Sequence, residues 1–287
     1  MHIILGGTGH IGSALSELLL SNGEPVTVVT RSDDKRRFWE NKGARVAAVD
    51  VRDHQALRQL FTKGKRVYLL NPPADPSTDI DAVERQGVRA LLSALEGSRL
   101  QKVVAASTYG AQPGAAIGDL GVLYELEQGL IRQPIPAAIV RGAYYMSNWD
   151  MALDTARESG EVHSLLPADF ELPMVAPADI AHVAARLLTA PIEVTGIHAV
   201  EGPEHYSPND VAAAFAAELG KPVKVVAIPR DQWVSALQNM GFSATSAQSM
   251  AAMTRITVDN PAEVPEAPVR GTTTLRQYVH ELVSAAS

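Results

Sequence analysis

Residues 2–12 read His2-Ile3-Ile4-Leu5-Gly6-Gly7-Thr8-Gly9-His10-Ile11-Gly12, and this stretch decides the fold. An apolar run of strand length passes directly into Gly6, Gly9 and Gly12, spaced GxxGxxG. Ile11, Ala14, Leu15, Leu18 and Leu19 follow at helical spacing, and Gly23 marks the stop. Glycines at a strand-to-helix junction give a tight turn without side chains. A pyrophosphate can approach such a backbone, where free N–H groups and the positive end of the helix dipole meet it. Gly6, Thr8, Gly9, His10, Ile11 and Gly12 are therefore the first candidate binding residues, His10 through its backbone N–H.

The same rhythm continues outward from the loop. Strands are expected at Ile3 to Leu5, Val26 to Thr30, Val46 to Asp50, Val67 to Leu70, Val103 to Ala106 and Ala137 to Val140. Further helices are expected at Asp53 to Phe61, Ile80 to Leu95 and Leu120 to Ile131. Strands this uniformly apolar have no wet face, so the alternation implies an α/β fold, a doubly wound parallel sheet covered by helices on both sides. Beyond Arg141 the pattern loosens, and residues 146–173 read as loops and short elements over a cleft. Helix returns from Pro177 to Ala190 and a strand from Ile197 to Glu201. Ser207 and Pro208 then cap and open a helix that ends near Gly220. The remainder reads as mainly helical, apart from a short strand at Val223 to Ala227 and a connector containing Pro261, Pro265 and Pro268.

Composition narrows the function. With 25 Lys and Arg against 32 Asp and Glu, the net charge of −7 argues against a non-specific binder of nucleic acid or of an anionic membrane. The absence of cysteine removes disulfides, Cys-ligated metals and cysteine nucleophiles together. No apolar run approaches the roughly 20 residues that span a bilayer. The chain thus reads as a cytoplasmic protein, with a strand that begins at His2 and no secretory leader before it. Its eight histidines show neither HExxH nor another metal-ligand spacing, and neither a GxSxG elbow nor a Walker A lysine is present. His182, three residues after Asp179, reads as a local hydrogen-bond partner.

The ends of the next strands carry the remaining cofactor candidates. About twenty residues after the glycine loop, an acidic residue would suit an adenosine ribose and an Arg a 2′-phosphate. Thr30-Arg31-Ser32 stands there, followed by Lys35, Arg36 and Arg37, which favours NADP. Asp33 and Asp34 keep NAD as the alternative, since either could receive a 2′-hydroxyl. Asp50-Val51 ends the third strand, where a carboxylate can accept from the adenine amino group; a helix cap near Asp53 is the competing explanation. Asn71-Pro72-Pro73 ends the fourth strand as a rigid turn suited to lying against a cofactor, and a plain turn would look the same. Trp149, Trp233, Tyr144, Tyr145 and Phe242 are candidates for lining the cleft or for the core, with Tyr144 placed beside the cofactor.

These segments together resemble the NmrA-like branch of the atypical short-chain dehydrogenases and reductases. The matching stretches are GGTGHIG at 6–12, TRS at 30–32, DVRD at 50–53, LLNPP at 69–73, VVAAST at 103–108, IVRGAYYMSNW at 139–149, PADIAHVAARLL at 177–188 and the run from Glu201 to Val223. The resemblance implies a Rossmann-like domain over residues 1–145 and 174–202. It also implies a smaller, mainly helical C-terminal substrate domain over 146–173 and 203–287, with the acceptor in the cleft between them. Members include quinone and dye reductases and redox-sensing regulators.

One departure bears on the chemistry. Dehydrogenases of the superfamily carry a Tyr and, four residues later, a Lys that binds the ribose and favours the phenolate. Here Tyr124 and Gln128 stand at the corresponding positions. The Gln128 amide can hydrogen-bond a ribose hydroxyl but brings no charge. An unassisted phenol, with a pKa near ~10, is ionised to about one part in a thousand at neutral pH. Alcohol oxidation, which needs a base, is therefore disfavoured. Reduction of a quinone, an enone or a cationic dye remains open, because the acceptor delocalises or neutralises the charge that hydride brings. Tyr124 is the candidate catalytic residue on this reading and a half-buried helix tyrosine on the other. The expectation is an NADPH-binding oxidoreductase, with an NADP(H)-sensing regulatory protein, which would add a protein partner, as the alternative.

Overall fold

The computed structural model describes residues 1–262 and 265–286. Glu263, Val264 and Ser287, which the expected C-terminal domain includes, lie outside the described residues. The first half alternates strictly: β1 (His2–Ile4), α1 (His10–Ser21), β2 (Val26–Thr30), α2 (Arg36–Asn41), β3 (Arg45–Ala48), α3 (His54–Phe61), β4 (Arg66–Leu69), α4 (Ile80–Leu95), β5 (Lys102–Thr108), α5 (Asp119–Ile131) and β6 (Ala137–Gly142). There follow β7 (Tyr144–Tyr145), α6 (Ala152–Glu158), β8 (Glu161–Ser164), β9 (Leu172–Val175), α7 (Pro177–Thr189) and β10 (Gly196–Glu201). The chain ends with β11 (His205–Tyr206), α8 (Pro208–Leu219), β12 (Lys224–Ala227), α9 (Trp233–Asn239), α10 (Ala244–Asp259), β13 (Val269–Arg270) and α11 (Leu275–Ala285).

Among the described residues the main sheet has eight strands, all parallel, in the order β3-β2-β1-β4-β5-β6-β10-β13. The doubly wound, Rossmann-like sheet is thus present. Strand order reverses between β1 and β4, which opens a crevice above their C-terminal ends, the usual place for a ligand in such sheets.

Period-2 alternation explains why the strands read as apolar throughout. Ile4, Val28, Tyr68, Val104 and Val140 face a core closed by Ile11, Leu15 and Leu19 of α1 and by Ile180, Ala184 and Leu188 of α7. Their neighbours Ile3, Leu5, Val29, Val67, Leu69, Val103 and Ile139 face α3, α4 and α5 through Leu57, Leu91 and Leu126. Each fully buried Leu or Val contributes about 1.5–3 kcal/mol. Both faces of the sheet therefore hold the strand ends rigidly in place.

The region expected as loops, 146–173, contains α6, β8 and β9. The difference has a physical reason, because these four-residue strands pair with distant partners. β8 runs parallel to β12, and β9 lies between β7 and β11. A third core of Met146, Trp149, Leu153, Met174, Phe215 and Val279 joins these elements to α8 and α11. Helix α2 was not expected either; its six residues are too few to show a period, yet Trp39 is 1% exposed and anchors it.

Ser207 caps α8 in a capping box with Asp210, and Gly220 closes it in the left-handed region. Asp179 and His182 are not partners. His182 Nδ1 lies 2.9 Å from Ala178 O, while Asp179 accepts from the N–H groups of Thr272 and Thr273 at 3.3 and 3.1 Å. Asp179 thereby ties the start of α7 to the turn that leads into α11. Among the described residues no helix is long and apolar enough to cross a membrane.

Candidate functional site

The glycine loop sits at the C-terminal end of β1, above the point where strand order reverses. Gly6 has φ +61°, and a Cβ there would lie 2.3 Å from Leu70 Cδ2. At Gly12 a Cβ would stand 2.1 Å from Gly6 O, so this glycine is needed for α1 to pack against its own loop. Gly9 is different. It is exposed, its φ of −87° suits any residue, and a Cβ would meet only Gly6 O at 3.5 Å, an ordinary contact.

Gly9 is the N-cap of α1 and makes no side-chain cap, and among the described residues nothing accepts from the N–H groups of His10 and Ile11. A bare helix start at an exposed glycine fits a diphosphate. Thr8 is half-buried in the same turn, and Ile11, 7% exposed, anchors the helix in the core.

Beyond β2 and β3 the structure brings Arg31 and Asp50 close enough for their charges to interact. Arg31 is exposed, and no described group hydrogen-bonds it or forms an ion pair with it. Its acidic neighbours are engaged elsewhere: Asp33 receives Arg36 Nη2 at 2.7 Å and Nε at 3.0 Å, and Asp34 receives Ser32 Oγ at 2.8 Å. Asp50 receives Arg52 Nη2 at 2.6 Å and Nε at 3.0 Å, and that guanidinium holds its carboxyl below the ordinary range. The cap of α3 is Asp53, which accepts from Gln55 N and Ala56 N, so capping does not explain Asp50. Val51 is buried beneath it at 9% exposure.

At the exit of β4, Asn71 and Pro72 lie half-buried beside the glycine loop. The Asn71 side chain turns away from the crevice; its Nδ2 donates to Glu84 O at 3.2 Å, and it sits against Gly87, where a Cβ would be 2.5 Å from its Oδ1. Glu84 itself, 7% exposed, accepts from Ala74 N at 2.9 Å and so fixes the turn that Pro72 begins. Burial first, and the adjacent Asp119 carboxylate second, push Glu84 up to about 7. Asp119, solvent-exposed at the start of α5, hydrogen-bonds Glu84, so the two carboxyls share the proton that Glu84 keeps up to about pH 7.

The sign of the pH effect follows. The native state keeps a proton that the unfolded chain releases near 4.5, so stability is full below that pH and is lost as pH rises through about 7. Glu84→Gln keeps the acceptor for Ala74 N and removes the loss. It is expected to raise Tm by about 2–4 °C at pH 8 and to change it little at pH 4. Thermal melts at the two pH values check this, and an equal shift at both would show that the pair holds no such proton.

Helix α5 turns Val122, Leu126 and Leu130 to the core and carries Tyr124 and Gln128 on another face, one turn apart. Among the described residues nothing hydrogen-bonds the Tyr124 hydroxyl or the Gln128 amide. Tyr124 lies beside Arg141, whose charge is taken by Glu127: Nε and Nη2 donate at 2.8 and 2.6 Å, and Ser107 Oγ donates to the same carboxylate. Glu127 is 1% exposed, and the pairing with Arg141 is what permits its burial. No sequence pattern announced this group.

Tyr109, just past β5, also escaped the sequence reading. Its hydroxyl donates to Glu201 at 3.1 Å; Glu201 is fully buried at the end of β10 and paired with Arg270 of β13 at 2.7 Å. Tyr144 is half-buried, with its ring 6.0 Å from Trp149, and burial pushes its phenol up to about 12. It packs against the third core. Tyr145 folds back over Gly142, where a Cβ would stand 2.6 Å from its ring. Among the described residues no three metal-ligating side chains converge. A groove of about 490 Å³ lined by Ile131, Pro134, Ile192 and Ile197 lies at the N-terminal edge of the sheet, opposite the glycine loop.

The sequence model of the NmrA-like family matches residues 3–269. An NAD(P)H azoreductase of Xenophilus azovorans is 28% identical over 87% of this chain and 85% of its own length. Among solved structures, an NADPH-dependent quinone oxidoreductase from Escherichia coli complexed with NADPH superposes with a TM-score of 0.78 at 20% identity, covering 99% of this chain and all of that one. A triphenylmethane reductase of Citrobacter sp. complexed with NADP(H) gives 0.81 at 17% identity over 98% of this chain and all of that one. At such identities the structural likenesses establish the fold alone.

Proposed function

Because this chain belongs to the NmrA-like family, we propose that it is an NADPH-dependent reductase that delivers hydride to a small acceptor able to stabilise its own reduced form, such as a quinone, an azo compound or a cationic dye. The observation that carries this reading is the start of α1, where the N–H groups of His10 and Ile11 are uncapped beside an exposed Gly9. The exposed, unpaired Arg31 favours NADPH over NADH, because only NADPH carries a 2′-phosphate for a guanidinium to grip. The azoreductase and quinone oxidoreductase relatives support the same reaction class.

The bound dinucleotide supplies the hydride; the chain supplies binding, orientation and exclusion of water. Residues His10 and Ile11 would hold the diphosphate through their N–H groups, Arg31 the 2′-phosphate and Gln128 a ribose hydroxyl. Glu84 fixes the turn after β4 through Ala74 N, and Tyr109 and Tyr145 lie just past the C-terminal ends of β5 and β6. Tyr124, held by no hydrogen bond and with no lysine beside it, serves as an orienting donor and not as a base.

Tyr124→Phe is therefore expected to lower turnover less than about tenfold, short of the ~10²- to 10⁴-fold that follows loss of a general acid or base. Initial rates on a quinone check this, and a loss of several orders of magnitude would restore a conventional catalytic tyrosine. The reaction class itself is tested by following NADPH oxidation against a panel of quinones, azo compounds and triarylmethane dyes. Turnover of at least one class is the expected result. Tight NADPH binding without any turnover would favour the second reading, an NADP(H)-sensing regulator, which Gln128 in place of the usual lysine supports.

A further inference from the structure

The glycine loop is tied to the far end of the chain by a polar bridge. His10 Nε2 lies 3.5 Å from Asp150 Oδ2, and Asp150 Oδ1 accepts from the Tyr278 hydroxyl at 2.6 Å. The three residues come from three separate parts of the chain. His10 opens α1, with its imidazole 65% exposed; Asp150, 24% exposed, follows the short 3₁₀ turn Met146–Trp149; Tyr278 lies on α11. Asp150 is fixed from both sides, since its N–H donates to Ser147 O at 3.2 Å and its carbonyl accepts from Leu153 N at 3.1 Å. Tyr278 and Val279 seat α11 in the third core, where burial and the Asp150 carboxylate raise the Tyr278 phenol, so that it remains a donor.

This arrangement sets a carboxylate beside the uncapped start of α1. Two anions at one site repel unless a cationic donor stands between them. The exposed side chain in that position is His10, which in its protonated form can donate towards both. We propose that Asp150 is a positioning residue for the dinucleotide, acting through His10, and that the same bridge reports dinucleotide occupancy to α11 through Tyr278. The proposal rests on the reading that the glycine loop takes a dinucleotide diphosphate. With the diphosphate present, His10 is held between two acceptors, which strengthens its contact with Asp150 and, through that carboxylate, the hydrogen bond that Tyr278 already makes at 2.6 Å. Helix α11, which Leu275 N ties to the Tyr206 hydroxyl at 3.2 Å and Arg157 ties through the Val283 carbonyl at 3.2 Å, thereby gains a stronger hold at its first turn.

The test uses the full chain and NADPH itself. Calorimetry on the parent, His10→Ala, Asp150→Asn and the double variant gives a cycle of dissociation constants. The single losses are expected to be non-additive by about two- to fivefold, the worth of a partly exposed ion pair. A purely structural Asp150 would give additive losses. In parallel, hydrogen exchange over residues 275–286 is expected to slow several-fold when NADPH is added to the parent. In Tyr278→Phe it should slow much less, and by reciprocity the dissociation constant should rise by about the factor of protection that is lost. Additive losses, a tighter affinity in Asp150→Asn, or NADPH binding that leaves α11 exchange unaltered would each overturn the proposal. A parent that shows no NADPH binding would instead fail the underlying reading, and the proposal with it.

Discussion

Gly9→Val is expected to fold as the parent does, with Tm within a few degrees, and to bind NADPH roughly a thousandfold more weakly. The asymmetry comes from the two faces of that residue. Towards the protein a Cβ meets only Gly6 O at 3.5 Å, and φ −87° with ψ 178° suits a β-branched residue. Towards the crevice a side chain would cover the N–H groups of His10 and Ile11. Two hydrogen bonds to a charged phosphate, each worth about 1.5–3 kcal/mol, account for a loss of that size. Gly12→Ala gives the contrast, because its Cβ would stand 2.1 Å from Gly6 O and must displace the loop, so it should lower Tm as well as affinity. Thermal melts and calorimetry on the two variants check both halves. Normal NADPH binding by Gly9→Val would remove the diphosphate from this loop.

Arg31→Ala should weaken NADPH about a hundredfold and NADH less than threefold. A charge-assisted contact to the 2′-phosphate is worth up to about 3 kcal/mol, and NADH has nothing there to lose. The side chain is exposed and unpaired, so its removal leaves no buried partner and no fold defect. Asp33 and Asp34 are engaged by Arg36 and Ser32, and neither is free to take the ribose diol of NADH in its place. Competitive titrations of the two cofactors check the ratio. Equal losses would make Arg31 a structural residue and reopen NAD as the cofactor.

What the sequence made legible was local chemistry. Helix α4 spans Ile80–Leu95 as its period predicts, with Asp79 capping Ala82 N, and α8 carries the Ser207 cap and Gly220 stop that its sequence prescribes. The glycine loop was readable because strand, turn and helix signals coincide within a dozen residues. Contacts between distant segments left no such trace. Glu84 meets Asp119 because α4 and α5 start side by side, and Tyr109 meets Glu201 across 92 positions because β6 lies between β5 and β10. Nothing in the spacing of those residues encodes the encounter. The same reason hid β8 and β9, whose four-residue runs acquire meaning only beside β12, β7 and β11. Asp179 was misread for a related cause: the nearest histidine in sequence was the visible partner, while its true partners, Thr272 and Thr273, lie more than ninety positions away.

Hydride delivery is the central claim, and transfer of label tests it most directly. NADPH deuterated on the hydride-donating face of C4 is incubated with the protein and a cationic triarylmethane dye, whose central carbon does not exchange with water once reduced. The predicted result is a leuco dye carrying one deuterium at that carbon for each NADPH oxidised. Bound NADPH that stays reduced with this and every other acceptor, or bleaching that leaves no deuterium in the product, would contradict it.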